Sequence, residues 1–191
     1  MDFKLKGKKA FISGSTSGIG LETARILLNE GMTVYINGRS EKTVKKAVEY
    51  LKNEIKGSEV KGIVADFLKQ EQVKNLLSSL NDVDVLINNV GIYSSTSFFD
   101  TPKKTWFDQF QVNVMSGVIL TRHFLEGMIA RNWGRVIFIS SECVYLAPID
   151  LISYSSTKAA LHSLSRGVAQ LSKGSNVTSN VVVPGSTLSE G

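Results

Sequence analysis

Short apolar, β-branched runs alternate with longer stretches of helical periodicity along most of this sequence. Such runs are typical of strands covered on both faces, and strand–helix alternation predicts βαβ units with right-handed crossovers. We therefore expect an α/β fold with a doubly wound parallel sheet. Strands are predicted at Lys9–Ser13, Thr33–Asn37, Val60–Ala65, Val83–Ile87, Arg135–Ile139 and around Asn180–Val183. Helices are predicted at Gly20–Asn29, Glu41–Ile55, Gln70–Leu80, Lys103–Met128 with a break near Asn113, and Tyr154–Leu171.

The composition is that of a globular protein, with 42% hydrophobic and 20% charged residues. No linker, low-complexity run or repeat interrupts the sequence, so we expect a single domain over residues 1–191. No apolar run reaches the roughly 20 residues that span a bilayer, and the charged start lacks a signal-peptide core, so no membrane association is expected. The single cysteine, Cys143, fits a reducing compartment, and we expect a cytoplasmic location.

The net charge of +5 would allow a nucleic-acid partner, but the distribution of that charge argues against one. Between Lys42 and Lys61 the lysines alternate with glutamates and few aromatics are interleaved, which is typical of a solvated helix face. His123 and His162 lack further ligands at metal-binding spacing. We expect the chain to bind neither nucleic acid nor a metal ion.

A glycine-rich segment follows the first predicted strand and opens the first helix, with the sequence Ser13-Gly14-Ser15-Thr16-Ser17-Gly18-Ile19-Gly20. Glycine permits positive φ and close approach of a ligand, and a helix N-terminus offers free N–H groups to a pyrophosphate. The Gly-x-x-x-Gly-x-Gly spacing differs from the Gly-x-Gly-x-x-Gly fingerprint, and a glycine turn without a ligand is the alternative. The position at the first strand–helix junction favours dinucleotide binding.

Tyr154 and Lys158 lie four residues apart at the head of the last predicted helix, and thus on one helical face. A neighbouring cation stabilises a phenolate, so we expect the pKa of the Tyr154 phenol to fall from about 10 toward neutrality. A tyrosine of this kind could exchange a proton at working pH. The alternative is a solvated lysine beside a half-buried tyrosine.

Six motifs in order together resemble the short-chain dehydrogenase/reductase family over essentially the whole chain. The glycine loop resembles that family's nucleotide-binding turn, and Asn88-Asn89-Val90-Gly91 resembles its Asn-Asn-Ala-Gly element. The other motifs are Asn113, Ser141 thirteen residues before Tyr154, the Tyr154/Lys158 pair and Pro184-Gly185. The resemblance implies a Rossmann-type three-layer α/β/α fold. It also implies NAD(P)-dependent hydride transfer between a nicotinamide and a carbonyl or alcohol carbon of a small-molecule substrate.

The resemblance implies catalytic roles for Asn113, Ser141, Tyr154 and Lys158. Tyr154 would be the acid in reduction and the base in oxidation, and Lys158 would lower its pKa and hold the nicotinamide ribose. Ser141 would donate a hydrogen bond to the substrate oxygen, and Asn113 would help to hold a water that links Lys158 to solvent. Simpler alternatives are a strand-end hydroxyl for Ser141, a bridge across a helix irregularity for Asn113, and loop stabilisation for Asn88. The residues expected at the cofactor are Gly14, Ser15, Thr16, Ser17, Gly18, Ile19, Gly20, Arg39, Asp66, Phe67, Asn89, Gly91, Tyr154, Lys158, Pro184, Gly185 and Thr187.

The end of the second predicted strand bears on the choice of cofactor. An acidic residue there would accept the adenosine ribose hydroxyls of NAD, but residues 36–40 contain no carboxylate and include Arg39, which suits a 2′-phosphate. Ser17 stands where many NADP-preferring members carry a second basic residue. We expect NADP(H) to be favoured over NAD(H). Asp66 resembles the residue that meets the adenine amino group, with a helix cap as the alternative.

Family members commonly continue past the Pro-Gly turn with a seventh strand and a substrate-covering segment, and we expect both to be missing from a sequence that stops at Gly191. A non-catalytic dinucleotide-binding or sensor module is therefore the alternative function. Apolar stretches at 114–120 and 159–164 resemble the helices through which family members associate, so a homodimer or homotetramer is expected. The residues that choose the substrate are expected around Tyr93, in 142–149 and after Gly185, without a readable code.

Overall fold

Six parallel strands form one sheet in the order β3-β2-β1-β4-β5-β6. The computed structural model describes residues 3–187. The strands are β1 (Lys9–Ile12), β2 (Thr33–Gly38), β3 (Val60–Val64), β4 (Val85–Asn88), β5 (Gly134–Ile139) and β6 (Val177–Val182). The helices are α1 (Gly18–Asn29), α2 (Glu41–Glu54), α3 (Gln70–Ser79), α4 (Lys103–Phe110), α5 (Ser116–Ala130), α6 (Cys143–Leu146) and α7 (Ile152–Leu171). The predicted α/β fold with a doubly wound parallel sheet is confirmed.

Alternate residues of β1 to β5 contribute to two separate apolar cores, because successive side chains point to opposite faces of a sheet, whereas β6 contributes to one of them. On one face, Ala10 and Ile12 of β1 pack with residues of α1 and α2. On the other face, Phe11 packs with residues of α3, α5 and α7. Burial on both faces explains why the strands read as nearly continuous apolar runs.

The strand order places a crevice at the carboxyl ends of β1 and β4. The chain moves outward from β1 through β2 to β3, then returns to the other side of β1 for β4 and moves outward again through β5 to β6. The loops that follow β1 and β4 therefore lead in opposite directions and leave a gap between them. Ligands of open α/β sheets bind at a gap of this kind.

The long predicted helix is interrupted where the sequence indicated a break. A π-helical turn at Gln111–Met115 separates α4 from α5 and contains Asn113. Turns of this type are frequent at functional sites. Two other expectations were less accurate, since β6 begins at Val177 and the short α6 was not predicted.

No helix within residues 3–187 is long and apolar enough to cross a bilayer. The residues after Thr187, to which part of the substrate choice was assigned, lie outside the described range.

Candidate active site

The glycine loop between β1 and α1 folds closely against the loop that follows β4. Gly14 and Gly18 have φ of +62° and +54°, which favour glycine. A Cβ on Gly14 would lie 2.8 Å from Cα of Val90, and one on Gly20 would lie 2.7 Å from the carbonyl oxygen of Gly14. The unusual spacing of the glycines thus matches the positions where the backbone has no room for a side chain.

Polar groups from the ends of β1 and β4 hold this loop in place. Ser13 Oγ accepts hydrogen bonds from the backbone N–H groups of Asn89 (3.0 Å) and Val90 (3.1 Å). The Asn89 side-chain amide donates in return to the carbonyl oxygens of Ser13 (3.0 Å) and Gly14 (2.7 Å). The Asn89 side chain therefore fixes the shape of the glycine loop as well as bordering the crevice.

Asn37, at the end of β2, holds the loop from the other side and was not singled out from the sequence. Its Oδ1 accepts from the backbone N–H of Gly14 at 3.1 Å, and its amide donates to the carbonyl oxygens of Ile63 and Ala65, each at 3.2 Å. The side chain is buried, with 1% exposure. The only sequence signal was a polar residue at the end of an otherwise apolar strand.

The side chains of Ser15 and Asn88 make structural contacts and do not line the crevice. Ser15 is fully buried, and its hydroxyl donates to the carbonyl oxygen of Ile12 at 2.6 Å and accepts from the N–H of Asn37 at 2.9 Å. Its side chain points into the loop and away from the crevice, so the expected contact between Ser15 and the cofactor stays a prediction. Asn88 faces Thr121 on α5 at 3.4 Å, so the loop-stabilising role considered for Asn88 belongs to Asn89.

A cavity of about 270 Å³ opens at the carboxyl ends of the strands beside the glycine loop. It brings together Ser141, Tyr154 and Lys158 with the turn that follows β6. The residues around it are Ser17, Gly18, Ile19, Gly20, Asn89, Gly91, Tyr93, Ile139, Ser140, Ser141, Tyr154, Lys158, Pro184, Gly185 and Thr187.

Lys158 is buried in the wall of this cavity, with 3% exposure. Its ammonium donates to the carbonyl oxygen of Ile139 at 2.8 Å. A Cβ on Gly91 would lie 3.2 Å from Nζ, so the missing side chain of Gly91 leaves room for the ammonium. Burial disfavours the charged form and lowers the pKa of Lys158 to about 8.

Tyr154 lies beside Lys158, with Nζ of the lysine 5.5 Å from the centroid of the tyrosine ring. Burial raises the pKa of the Tyr154 phenol above its ordinary value of 10, and a hydrogen bond with Ser141 opposes this effect. For the chain without a bound cofactor, the expectation that Lys158 lowers the pKa of Tyr154 is wrong. Desolvation of the phenolate dominates, and the ammonium is bound to the carbonyl oxygen of Ile139.

Ser141 is oriented by the start of α6. Its Oγ accepts a hydrogen bond from the backbone N–H of Cys143 at 3.2 Å, so its own proton can be donated elsewhere. The preceding residue, Ser140, has a different function. Its hydroxyl donates to the carbonyl oxygen of Lys158 at 3.1 Å and lies 2.9 Å from Nε2 of His162, which ties the end of β5 to α7.

Asn113 occupies the π-helical turn and joins two elements of the site. Its Oδ1 accepts from the N–H of Ile92 at 2.7 Å, while its amide donates to the carbonyl oxygen of Ile92 and to Oγ1 of Thr157, both at 2.9 Å. Asn113 is 3% exposed. Its side chain therefore holds the loop after β4 against α7, which differs from the bridge across a helix irregularity considered from the sequence.

A second cavity of about 260 Å³ lies on the other side of the glycine loop. It is lined by Gly14, Thr16, Ser17, Asn37, Gly38, Arg39, Ala65, Asp66, Phe67, Leu68, Asn89, Val90, Gly91, Ile92 and Val112. Because both cavities share Ser17, Asn89 and Gly91, they form one elongated crevice across the loop. All residues expected at the cofactor except Ser15 line this crevice.

Asp66, in the second cavity, does not cap the helix that follows. Its Oδ1 accepts from the N–H of Leu68 at 3.0 Å, and α3 begins only at Gln70. Within residues 3–187 no group of three or more histidine, cysteine, aspartate or glutamate side chains could hold a metal ion. The crevice contains a glycine loop at a helix N-terminus, an arrangement that suits the phosphates of a dinucleotide.

A two-part crevice across a glycine loop, with a tyrosine, a lysine and a serine at one end, is the arrangement of a dinucleotide-dependent oxidoreductase. A family model described as short chain dehydrogenase matches residues 8–191. The chain belongs to the short chain dehydrogenase family, whose members are NAD(P)-dependent oxidoreductases.

Named relatives support this assignment. The chain is 44% identical over 191 residues to an uncharacterized oxidoreductase of Bacillus subtilis, YvaG. The match covers all of this chain and 72% of that relative. It is 31% identical to the 3-oxoacyl-[acyl-carrier-protein] reductase FabG of Aquifex aeolicus, over 97% of this chain and 76% of that protein. Among solved structures, the L-sorbose reductase of Gluconobacter frateurii, complexed with NADPH and L-sorbose, has a TM-score of 0.94 and 30% identity, over 100% of this chain and 73% of that one.

The buried ammonium predicts a pH-dependent contribution to stability. Above pH 8 the folded chain loses the Lys158 proton, whereas the unfolded chain keeps it until near its ordinary pKa of 10.5. The free energy of unfolding of the cofactor-free wild type, relative to Lys158→Met, should therefore rise by about 2 kcal/mol between pH 7 and pH 10. Denaturant titrations at several pH values measure this difference. The exposed Lys45→Met is the control, and a pH-independent difference for Lys158→Met would contradict the prediction.

Proposed function

We propose that this chain is an NADP(H)-dependent oxidoreductase that interconverts a carbonyl and an alcohol on a small-molecule substrate, with Tyr154 as the acid and base. The observation that carries the proposal is the convergence of Tyr154, Ser141 and Lys158 on one cavity next to the glycine loop. When bound, the cofactor donates or accepts the hydride. The chain supplies the position of both reactants and the proton.

Tyr154 is suited to donate that proton. The phenol, whose pKa is raised by burial, is protonated at neutral pH and so holds the proton that reduction of a carbonyl requires. Ser141 accepts from the N–H of Cys143 and so directs its own hydroxyl proton toward the oxygen that gains negative charge. A second hydrogen bond to that oxygen stabilises the transition state more than the ground state.

Lys158 is suited to hold the ribose next to the reacting ring. The ammonium has three N–H donors, and one of them is bound to the carbonyl oxygen of Ile139. The ammonium lines the cavity beside Gly91, where ribose hydroxyls could accept from the remaining donors. Asn113 supports this arrangement by fixing Ile92 and Thr157, and a water near its π-helical turn would connect Lys158 with solvent.

The proposed role of Tyr154 is tested by Tyr154→Phe, which removes the proton and keeps the ring. We expect turnover to fall at least about a hundredfold while the dissociation constant for NADPH changes little. Cofactor oxidation is followed over a panel of ketones and thioesters that includes L-sorbose and a 3-oxoacyl thioester. Tyr35→Phe, on β2, is the control for loss of a hydroxyl elsewhere. A wild type that binds NADPH and turns over no member of a broad panel would favour the non-catalytic sensor module.

The end of β2 supports NADP(H) over NAD(H). The Asn37 side chain points inward, and a Cβ on Gly38 would lie 2.6 Å from Cγ2 of Thr16, so neither position could present a carboxylate to a ribose. Arg39 is the first exposed side chain there, and it lines the second cavity. Its guanidinium can bind a phosphate through two hydrogen bonds. The structure of the similar sorbose reductase was solved with NADPH.

Arg39→Asp tests the cofactor preference. The carboxylate should repel a 2′-phosphate and accept ribose hydroxyls, so the ratio of kcat/KM for NADPH over that for NADH should fall at least tenfold. Steady-state kinetics with both cofactors measure the ratio. Lys45→Asp makes the same charge change on the exposed face of α2 and should leave the ratio near the wild-type value. An unchanged ratio in Arg39→Asp would refute the assignment.

The outer faces of α5 and α7 support self-association. Met115 is 41% and Leu171 73% exposed, and both border a shallow apolar depression with Ile119 and Ile129. Leu120 and Leu161 lie in the apolar stretches that were expected to form this surface. They belong to the core instead, with 0% and 2% exposure. We infer that a second copy of the chain covers the depression, as in a homodimer or homotetramer.

Sedimentation velocity tests this association. The wild type should sediment as a dimer or larger species, and Leu171→Glu should shift it toward the monomer, because a carboxylate would be desolvated at the interface. Ile26→Glu, at an exposed position of α1, is the control. A wild type that sediments only as a monomer would exclude the proposed oligomer.

The single domain, the cytoplasmic location and the lack of a nucleic-acid partner stay predictions from the sequence.

A further inference from the structure

The pairing of β5 with β6 continues beyond both strands, past Ser141. The N–H of Ser140 donates to the carbonyl oxygen of Val182 at 2.8 Å, and the N–H of Glu142 donates to that of Pro184 at 3.0 Å. Ser141 thus lies between two bonds that join its segment to the turn after β6. The catalytic serine and this turn are held together as one unit.

The Glu142 side chain extends this connection over the turn. Its Oε1 accepts a long hydrogen bond of 3.5 Å from the hydroxyl of Ser186. Its Oε2 lies 3.0 Å from the point where a Cβ on Gly185 would stand, so the carboxylate rests directly above that glycine. Within residues 3–187 Glu142 makes no salt bridge that would draw its carboxylate elsewhere.

The backbone of Glu142 is fixed independently of its side chain. Its carbonyl oxygen accepts from the N–H groups of Tyr145 (2.9 Å) and Leu146 (3.1 Å), which opens α6. Truncation of the side chain would leave these bonds and the bond to Pro184 in place. The carboxylate is therefore separable from the fold of the segment, and among residues 3–187 its hydrogen bond is made to the turn.

The turn in question forms part of the cavity that contains Tyr154 and Lys158. Pro184, Gly185 and Thr187 all line that cavity, and Thr187 Oγ1 donates to the carbonyl oxygen of Gly185 at 3.0 Å. Arg39, in contrast, lines the second cavity across the glycine loop. A displacement of residues 185–187 would therefore alter the cavity that contains Tyr154 and Lys158 and leave the cavity around Arg39 unchanged.

We propose that Glu142 is a positioning residue whose carboxylate holds the 184–187 turn in place for the nicotinamide half of the cofactor. The inference rests on the proposed function, because it takes the first cavity to be the nicotinamide end. Loss of the carboxylate would loosen the turn and weaken contacts with that half. Contacts with the adenosine half, near Arg39 and Asp66, would be unchanged.

Two ligands that differ in the nicotinamide ring test this role. NADPH contains the ring, whereas 2′-phospho-ADP-ribose lacks it and keeps the rest of the dinucleotide, including the ribose expected at Lys158. Calorimetric titration of Glu142→Ala should give a dissociation constant for NADPH that is fivefold to tenfold higher than wild type, roughly the effect of one lost hydrogen bond, and an unchanged constant for the fragment. Glu142→Gln keeps an acceptor oxygen and should stay within about twofold of wild type for both ligands. If NADH binds more tightly than NADPH, NADH and ADP-ribose make the same comparison.

The contact with Ser186 gives a further test. Ser186→Ala should weaken NADPH binding in the wild type and should have no additional effect in Glu142→Ala, because the two residues act through one contact. The control Glu49→Ala removes an exposed carboxylate from α2 and should alter neither ligand. Equal weakening of NADPH and fragment in Glu142→Ala, no weakening of either, or additive effects with Ser186→Ala would overturn the proposal.

These outcomes are distinct from failure of the proposed function, since they require binding and no turnover. A wild type that binds NADPH without turning over any carbonyl substrate would refute the catalytic proposal. The binding comparison of the Glu142 variants would still test the positioning role. A wild type that binds neither dinucleotide would overturn both.

Discussion

The site depends on keeping the ammonium of Lys158 inside the protein. A buried charge is unfavourable unless hydrogen bonds compensate for its lost hydration, and here the carbonyl oxygen of Ile139 provides one at 2.8 Å. Side-chain hydrogen bonds hold the surrounding elements together. Asn113 ties α7 to the loop after β4, and Ser140 ties α7 to the end of β5. Perturbed titratable groups of this kind concentrate at functional sites.

Four consecutive residues after β4 connect the two ends of the crevice. Asn89 binds the glycine loop, Val90 packs against Gly14, Gly91 leaves space for the Lys158 ammonium, and Ile92 is held by Asn113. A change in this loop would therefore affect the glycine loop and the end of the crevice that contains Tyr154 and Lys158 at the same time. The loop that follows β4 thus has a structural function at both ends of the crevice, although it contains no reactive group.

Much of the fold followed from the sequence, because apolar strands alternating with helices restrict the chain to a parallel sheet. That Tyr154 and Lys158 share one helical face was expected from helix periodicity, and Ser141 was expected beside them from the resemblance to the family; all three line one cavity. The direction of single polar side chains could not be predicted. The side chains of Ser15, in the glycine loop, and Asn37, at the end of β2, both bind the interior of that loop, and their neighbours in sequence give no sign of this. The pKa of Tyr154 was misjudged for a related reason. Spacing indicated that a cation is near the phenol, but the burial that outweighs it depends on the packing of the loop after β4 and α6.

The most direct test of this account is the titration of Lys158 itself. Lysine labelled with ¹³C at Cε can be followed by NMR in the cofactor-free protein, and Lys158→Arg assigns the signal. Burial predicts a midpoint at about pH 8, well below the other lysines. A midpoint close to 10.5 would show that the ammonium is hydrated. It would contradict the buried charge around which Tyr154, Gly91 and Asn113 are arranged.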